Sequence, residues 1–264
     1  MNNTFSITRF GWLFKKTFSE RPVQLLGFMG IAMALSLAVY VFFKFADSYE
    51  LAQNASFVIG LVGCGCFMAA MVFNYFSTNA SGASFLTLPA SQLEKWFCGV
   101  LIAGVLYTVV FLLLFRVMDT GFVALYHKGL DRQSPFYQQQ YDAVQVFSFT
   151  GFVASRVMMM YYNFAGAILL GAFYFNRASF IKTAMVLCVV CFGGILLNLL
   201  IANLFFNNVN SAFPYFFVWI TAGKATGRQE ISGPLHRGIM IIFQYIIPLI
   251  LWGLAYLRLR EKEF

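Results

Sequence analysis

The 264-residue chain is 60% hydrophobic and only 11% charged. Soluble domains carry about a quarter charged residues, so this composition excludes an ordinary soluble enzyme or binding module and points to a membrane protein. The formal net charge of +8 reads as basic residues anchoring helix ends at anionic headgroups, and no nucleic-acid partner is expected.

The first 22 residues form a unit of their own. Between Phe5 and Ser19, Ile7, Phe10, Phe14 and Phe18 recur at helical spacing, with Arg9, Lys15, Lys16 and Ser19 on the other side. This pattern predicts an amphipathic helix in the membrane interface, its rings in lipid and its ammonium groups near phosphates. Arg21-Pro22 ends it, because a residue before proline is pushed away from helical geometry. Such a helix serves either as a non-specific anchor or as a lever that carries movement from a cytoplasmic partner to the first span.

Residues 23–264 read as a single membrane domain. Six stretches lack any charged side chain: Val23–Phe43, Ser56–Phe76, Phe97–Phe115, Val157–Phe175, Ala184–Phe205 and Ile239–Tyr256. Each approaches the roughly 20 apolar residues that cross a bilayer as a helix. They are apolar on every side rather than alternating, which excludes a membrane β-barrel and predicts an all-α fold of six spans. No cleavable signal peptide of the usual form precedes the first span, which is expected to act as the targeting signal.

Basic residues set the expected orientation. With the N-terminus inside, Arg9, Lys15, Lys16, Arg21, Lys95, Arg177, Lys182, Arg258, Arg260 and Lys262 lie on the inner side, ten of the 18 Lys and Arg. They sit against span ends, where the rule has most force, so the expected topology is N-in and C-in. Trp12, Trp96 and Trp252 fall at the expected inner interface.

Of the connections, Lys44–Ala55 offers no chemistry by itself. The inner loop Ser77–Trp96 passes from small polar residues to Phe85-Leu86-Thr87-Leu88-Pro89-Ala90-Ser91 and then Gln92-Leu93-Glu94-Lys95 before the third span. A loop this apolar either docks on a partner or lies on the lipid interface. Met118–Arg156 is too short for its own core and predicts a cap of short helices. Ser211–Ile220, ten apolar residues broken by Pro214, is too short to span and predicts a re-entrant or interfacial piece.

Catalytic groups are nearly absent from the apolar stretches. None of the six contains Asp, Glu, His, Lys or Arg, which removes the usual machinery of intramembrane proteases and proton relays. His127 and His236 read as solvated loop residues. Cys188 and Cys191 have a redox-like spacing but act as small hydrophobes in an apolar helix. No metal site, catalytic residue or cofactor is expected in this chain. Gly223-Lys224 lacks the preceding glycine of a phosphate loop, so ATP-driven work needs a partner.

An interfacial helix, six spans, the Leu88-Pro89-Ala90-Ser91-Gln92 segment with Glu94-Lys95 following, a proline-broken hairpin before the sixth span and a basic tail together resemble the permease subunits of type-2 ABC exporters. Gln92 stands where that family often has a basic residue. The resemblance implies that Phe85, Leu86, Leu88, Pro89, Ala90, Ser91, Leu93, Glu94 and Lys95 form a coupling helix seated on a separate ATPase subunit. It also implies that residues 5–19 are the connecting helix beside it. Two permeases, identical or homologous, would pair with two ATPases that hold ATP and magnesium, in a bacterial inner membrane. Asn198 and Asn203 on the fifth span would then border the translocation path. A non-transporting membrane scaffold and a secondary transporter are the competing readings.

Overall fold

The computed structural model describes residues 5–20, 22–46, 48–73, 75, 79–175, 178–205, 209–213, 219–222, 228–229, 237–238 and 241–261. α1 (Ile7–Glu20) precedes the spans. Among the described residues six helices are long and apolar enough to cross a membrane: α2 (Pro22–Phe45), α3 (Tyr49–Val72), α5 (Gln92–Lys128), α7 (Phe152–Tyr174), the Ser179–Leu197 part of α8, and α9 (Ile242–Glu261). α4 (Asn79–Leu86) and α6 (Tyr137–Ala143) are short helices in connections, and α8 as a whole runs Ser179–Phe205. The chain is a polytopic membrane protein with an all-α membrane portion.

Two spans are longer than their apolar stretches. α3 starts at Tyr49 because Ser48 caps it, its hydroxyl accepting the Leu51 N–H at 3.3 Å, with Glu50 in the first turn favoured by the helix dipole. α5 begins at Gln92, behind a Ser91 cap, and continues past Phe115 to Lys128. It therefore includes Glu94, Lys95, Arg116 and Asp119, and the charge-free spans expected from composition give way to a helix with buried charged groups at both ends.

The connection before α9 also departs from expectation. Within the proposed re-entrant stretch, residues 211–213 and 219–220 belong to strands. β1 (Val209–Phe213), β2 (Trp219–Ala222) and β3 (Arg228–Gln229) form a small antiparallel sheet in the order β1-β2-β3. Ser211 faces Thr221 and Phe213 faces Trp219, with an irregularity between Val209 and Ser211. Aromatic and β-branched residues favour this pairing, and it satisfies backbone groups that a single irregular segment leaves open.

In the bundle, α7 packs against α3, α8 and α9, while α2 packs on α3. The core is aromatic: Phe57, Tyr107, Phe111, Phe115 and Tyr161 are completely buried. Trp252 on α9 is buried within the protein. Its indole donates to the Tyr162 carbonyl at 2.9 Å, and its own carbonyl accepts from the Trp96 indole at 2.9 Å. The ring fits because Gly104 and Gly166 face it: a Cβ at Gly104 would lie 2.6 Å from the indole, and one at Gly166 would overlap it.

Among the described residues three spans contain a π-helical turn: Ile59–Cys64 in α3, Leu101–Leu106 in α5 and Ile242–Ile246 in α9. Such a turn shifts the backbone register and leaves a carbonyl without its usual partner, which is costly in hydrocarbon. Each turn has one carbonyl met by a side chain from a neighbouring span. Tyr107 Oη donates to Gly60 O at 2.6 Å, Tyr161 Oη donates to Ala103 O, and Asn163 Nδ2 donates to Phe243 O at 2.8 Å. Asn163 is thus an interhelical hydrogen bonder, as an amide in a span usually is.

Candidate functional site

The residues singled out in the loop after the second span form one cluster, centred on Glu94. Ser91-x-x-Glu94 is a capping box: Ser91 Oγ accepts the Glu94 N–H at 3.2 Å, and Glu94 Oε2 accepts the Ser91 N–H at 2.8 Å. Its other oxygen, Oε1, accepts the Ser6 N–H at 2.7 Å and faces Arg9 Nη2 at 3.1 Å. One fully buried carboxylate therefore satisfies the start of α1 and the start of α5 together, a use suited to a negative charge at helix N-termini.

The loop is fastened to the bundle by its apolar and basic residues as well. Phe85 is buried and stacks on Tyr75, with ring centroids 4.8 Å apart. Lys95 is buried, and its ammonium lies 5.9 Å from the Phe85 ring. Ala90 is also buried, whereas Ser91 and Leu88 are half-buried and Pro89 and Leu93 are exposed. The side chain of Leu86 lies outside the described residues. Of the nine positions assigned to a coupling surface, Pro89 and Leu93 face outward most clearly, joined by exposed Thr87. Phe85, Ala90, Glu94 and Lys95 act underneath, holding the segment in place.

α1 lies differently from the arrangement expected of it. Leu13 is buried and Phe10, Phe14 and Phe18 pack on the core, with Phe10 5.4 Å from the Phe97 ring of α5 and Phe14 4.8 Å from Phe18. The phenylalanine side is therefore partly covered by protein. The reason is steric and chemical fit: Glu94 fixes the start of the helix, and the nearest apolar surface for its rings is then α5. Ile7, expected on the same side, is 81% exposed, and Lys15 and Lys16 are exposed.

At the opposite end of the bundle, sequence reasoning missed a second cluster. Asp119 is completely buried. Its Oδ1 accepts from Tyr40 Oη at 3.0 Å and from Gln53 Nε2 at 2.8 Å, and Oδ2 accepts the Phe147 N–H at 2.7 Å. Gln53 also donates to Gln145 O at 2.9 Å. Three spans and the long connection are joined here, and Gln53 gives chemistry to a segment from which none was expected. Phe147 enters between Phe57 and Phe115, at 4.8 and 5.6 Å, and Phe149 stacks under the Arg116 guanidinium at 4.2 Å. The connection is thus a plug as well as a cap. Its short helix α6 precedes the plug, and an open cleft of about 490 Å³ beside it is lined by Glu50, Gln53, Asp142 and Phe152 among others. His127, expected in solvent, is half-buried, stacked 3.9 Å from Tyr141 and donating from Nε2 to Val144 O at 2.8 Å. His236 lies outside the described residues.

The Asp119 signal was present in the sequence as spacing. Phe111, Phe115 and Asp119 lie four residues apart on one helix face, and all three are buried. On the fifth span, Asn203, Cys188 and Cys191 are exposed, while the side chain of Asn198 lies outside the described residues. Among the described residues no group of three or more His, Cys, Asp or Glu is placed to hold a metal ion. No known family, curated protein or solved structure matches this chain. It is a multi-helix protein with six candidate membrane spans.

Proposed function

We propose that this chain is the membrane-spanning permease subunit of an ATP-powered exporter of the type-2 ABC kind, in a bacterial inner membrane with both termini in the cytoplasm. The observation that carries this reading is the Glu94 junction. It makes the interfacial helix and the loop after the second span one mechanical unit at the start of α5, with Thr87, Pro89 and Leu93 presented outward. A separate ATPase subunit, holding ATP and magnesium, would seat on that surface. A second permease copy or a homologue would complete the pathway, with the fifth span carrying Asn198 and Asn203 toward it. Closure of the ATPase pair would press on the loop, and rigid transmission through Glu94 would move α1 and α5 together, biasing the spans between two arrangements.

The test is co-purification from the native membrane in mild detergent, followed by an ATPase assay. Pro89→Gly with Leu93→Asp should remove the associated ATPase while leaving insertion and yield unchanged, since both side chains face outward. Leu88 is a poorer target because it packs partly on the core. Undiminished ATPase retention by the double variant would overturn the docking surface. A wild-type chain that purifies without ATPase activity would instead favour the scaffold reading.

A further inference from the structure

The cleft beside α6 has a volume of about 490 Å³, inside the range of roughly 300–1,000 Å³ that small-molecule sites occupy. Its lining comes from residues 49–54 and 142–154, ahead of the charge-free stretches that begin at Ser56 and Val157. It therefore opens on water rather than hydrocarbon, at the end of the bundle away from Glu94.

The charge on this lining has one sign. Glu50 and Asp142 belong to it and no Lys or Arg does, although the whole chain carries +8. Neither carboxylate has an ion-pair partner among the described residues, and Asp142 is met by the Gln138 amide only at 3.5 Å. Glu50 suits the first turn of α3, but Asp142 stands in the last turn of α6, where the helix dipole opposes a negative charge. Gln53, also in the lining, donates at 2.8 Å to the buried Asp119, so a third carboxylate stands behind the wall.

The remaining chemistry is aromatic. Tyr49, Phe147 and Phe152 line the cleft, and two of these rings already hold cations of the protein itself. The Lys44 ammonium lies 5.8 Å from the Tyr49 ring and the Arg156 guanidinium 4.8 Å from the Phe152 ring. Rings combined with carboxylates recognise ammonium groups. Setting Lys44 and Arg156 against Glu50, Asp142 and Asp119 leaves one net negative charge, which matches a guest of single positive charge. Among the described residues no group of three or more His, Cys, Asp or Glu is placed to hold a metal, so the matching guest is organic.

We propose that this cleft binds a soluble organic cation of single charge, an amine or quaternary ammonium with an apolar substituent. Its ammonium lies between Glu50 and Asp142, and its apolar part rests on Phe147 and Phe152. The site is independent of the exporter reading, since it requires neither an ATPase nor transport.

The experiment is a saturation-transfer NMR titration of the full chain in dodecyl maltoside micelles, a non-ionic environment without competing ammonium headgroups. The probes are choline, benzyltrimethylammonium and dimethylbutanol, the uncharged analogue of choline in which carbon replaces nitrogen. Choline should bind about tenfold more tightly than dimethylbutanol. Glu50→Gln and Asp142→Asn should each weaken both cations by about fivefold and leave the alcohol unaffected. Both side chains are exposed, and an unchanged size-exclusion profile shows that the variants remain folded. Absence of transfer to either cation, or equal affinity for choline and the alcohol, overturns the proposal. Unchanged cation affinity in both variants places binding elsewhere and overturns the site. Calcium binding more tightly than choline, with loss in the same variants, overturns the organic guest in favour of a divalent metal. Displacement of choline by phosphatidylcholine added to the micelles overturns the soluble guest in favour of a lipid headgroup.

Discussion

The Ser6 backbone N–H and the Glu94 carboxylate, 88 residues apart in sequence, meet at 2.7 Å. That single acceptor group also closes the Ser91 cap and receives Arg9, so its removal should be felt at two helix starts at once. Glu94→Ala is expected to destabilise the protein by about 2–4 kcal/mol, from several unpaired donors and a lost cap. Tryptic cleavage after Lys15 and Lys16 should accelerate as α1 comes loose. Arg9→Ala should cost about 1 kcal/mol or less, because its guanidinium is partly solvated. Equal protease sensitivity of Glu94→Ala and wild type would contradict this assignment.

Asp119→Asn tests the junction at the other end of the bundle. Tyr40, Gln53 and the Phe147 N–H all donate to this carboxylate, and a carboxamide has one acceptor oxygen where the carboxylate has two. The expected cost is about 1–3 kcal/mol, read as a lower thermal midpoint in detergent. The substitution should also raise hydrogen exchange at the Phe147 amide. Unchanged protection of that amide would show that the plug does not depend on Asp119.

Gly166→Ala should disrupt the seat of Trp252, since the new methyl would overlap the indole. Overpacking of this kind costs about 1–3 kcal/mol. In a Trp252→Ala background the same substitution should cost much less, giving a coupling of about 1 kcal/mol or more in a double-mutant cycle. Strict additivity would place the two residues apart.

Tyr107→Phe removes the hydroxyl that meets the Gly60 carbonyl. Interhelical hydrogen bonds in membranes average about 0.6 kcal/mol, so the loss should be small but measurable in unfolding by denaturing detergent. Tyr107→Phe and Tyr161→Phe act on different turns, in α3 and α5, but their rings lie 6.0 Å apart, so the double variant should depart from the sum of the two. A stabilising effect of Tyr107→Phe would show that the carbonyl has another partner.

Six apolar runs specify six spans, because a stretch such as Val23–Phe43 has no stable alternative in lipid, and α2 covers Pro22–Phe45 accordingly. Helix ends were less legible. Composition stops the third run at Phe115, but the helix continues because the Arg116 charge rests on Phe149 and the Asp119 charge is met by three donors from distant segments. Those partners are tertiary, so no local pattern announces them. Ser91-x-x-Glu94 carries capping-box spacing that was overlooked in the loop, and the other half of Glu94's role, reception of Ser6 and Arg9, depends on where α1 lies. For α1 itself the periodicity identified an amphipathic helix, yet periodicity does not distinguish lipid from protein as the cover of an apolar face.

The three π-helical turns make helix length a matter of orientation. Removing one residue from Ile59–Cys64 would return α3 to ordinary winding, and because a π-helical turn holds one residue more than an α-helical one, the segments on either side would keep their orientation about the helix axis. Buried Phe57 and exposed Phe67, on either side of the turn, would keep their present sides, whereas the same deletion in an α-helical part of the span would swing one of them by roughly 100°. The turn is thus the one place in the span where chain length can change by a residue without turning a buried face outward, and what such a deletion gives up is the carbonyl that Tyr107 meets.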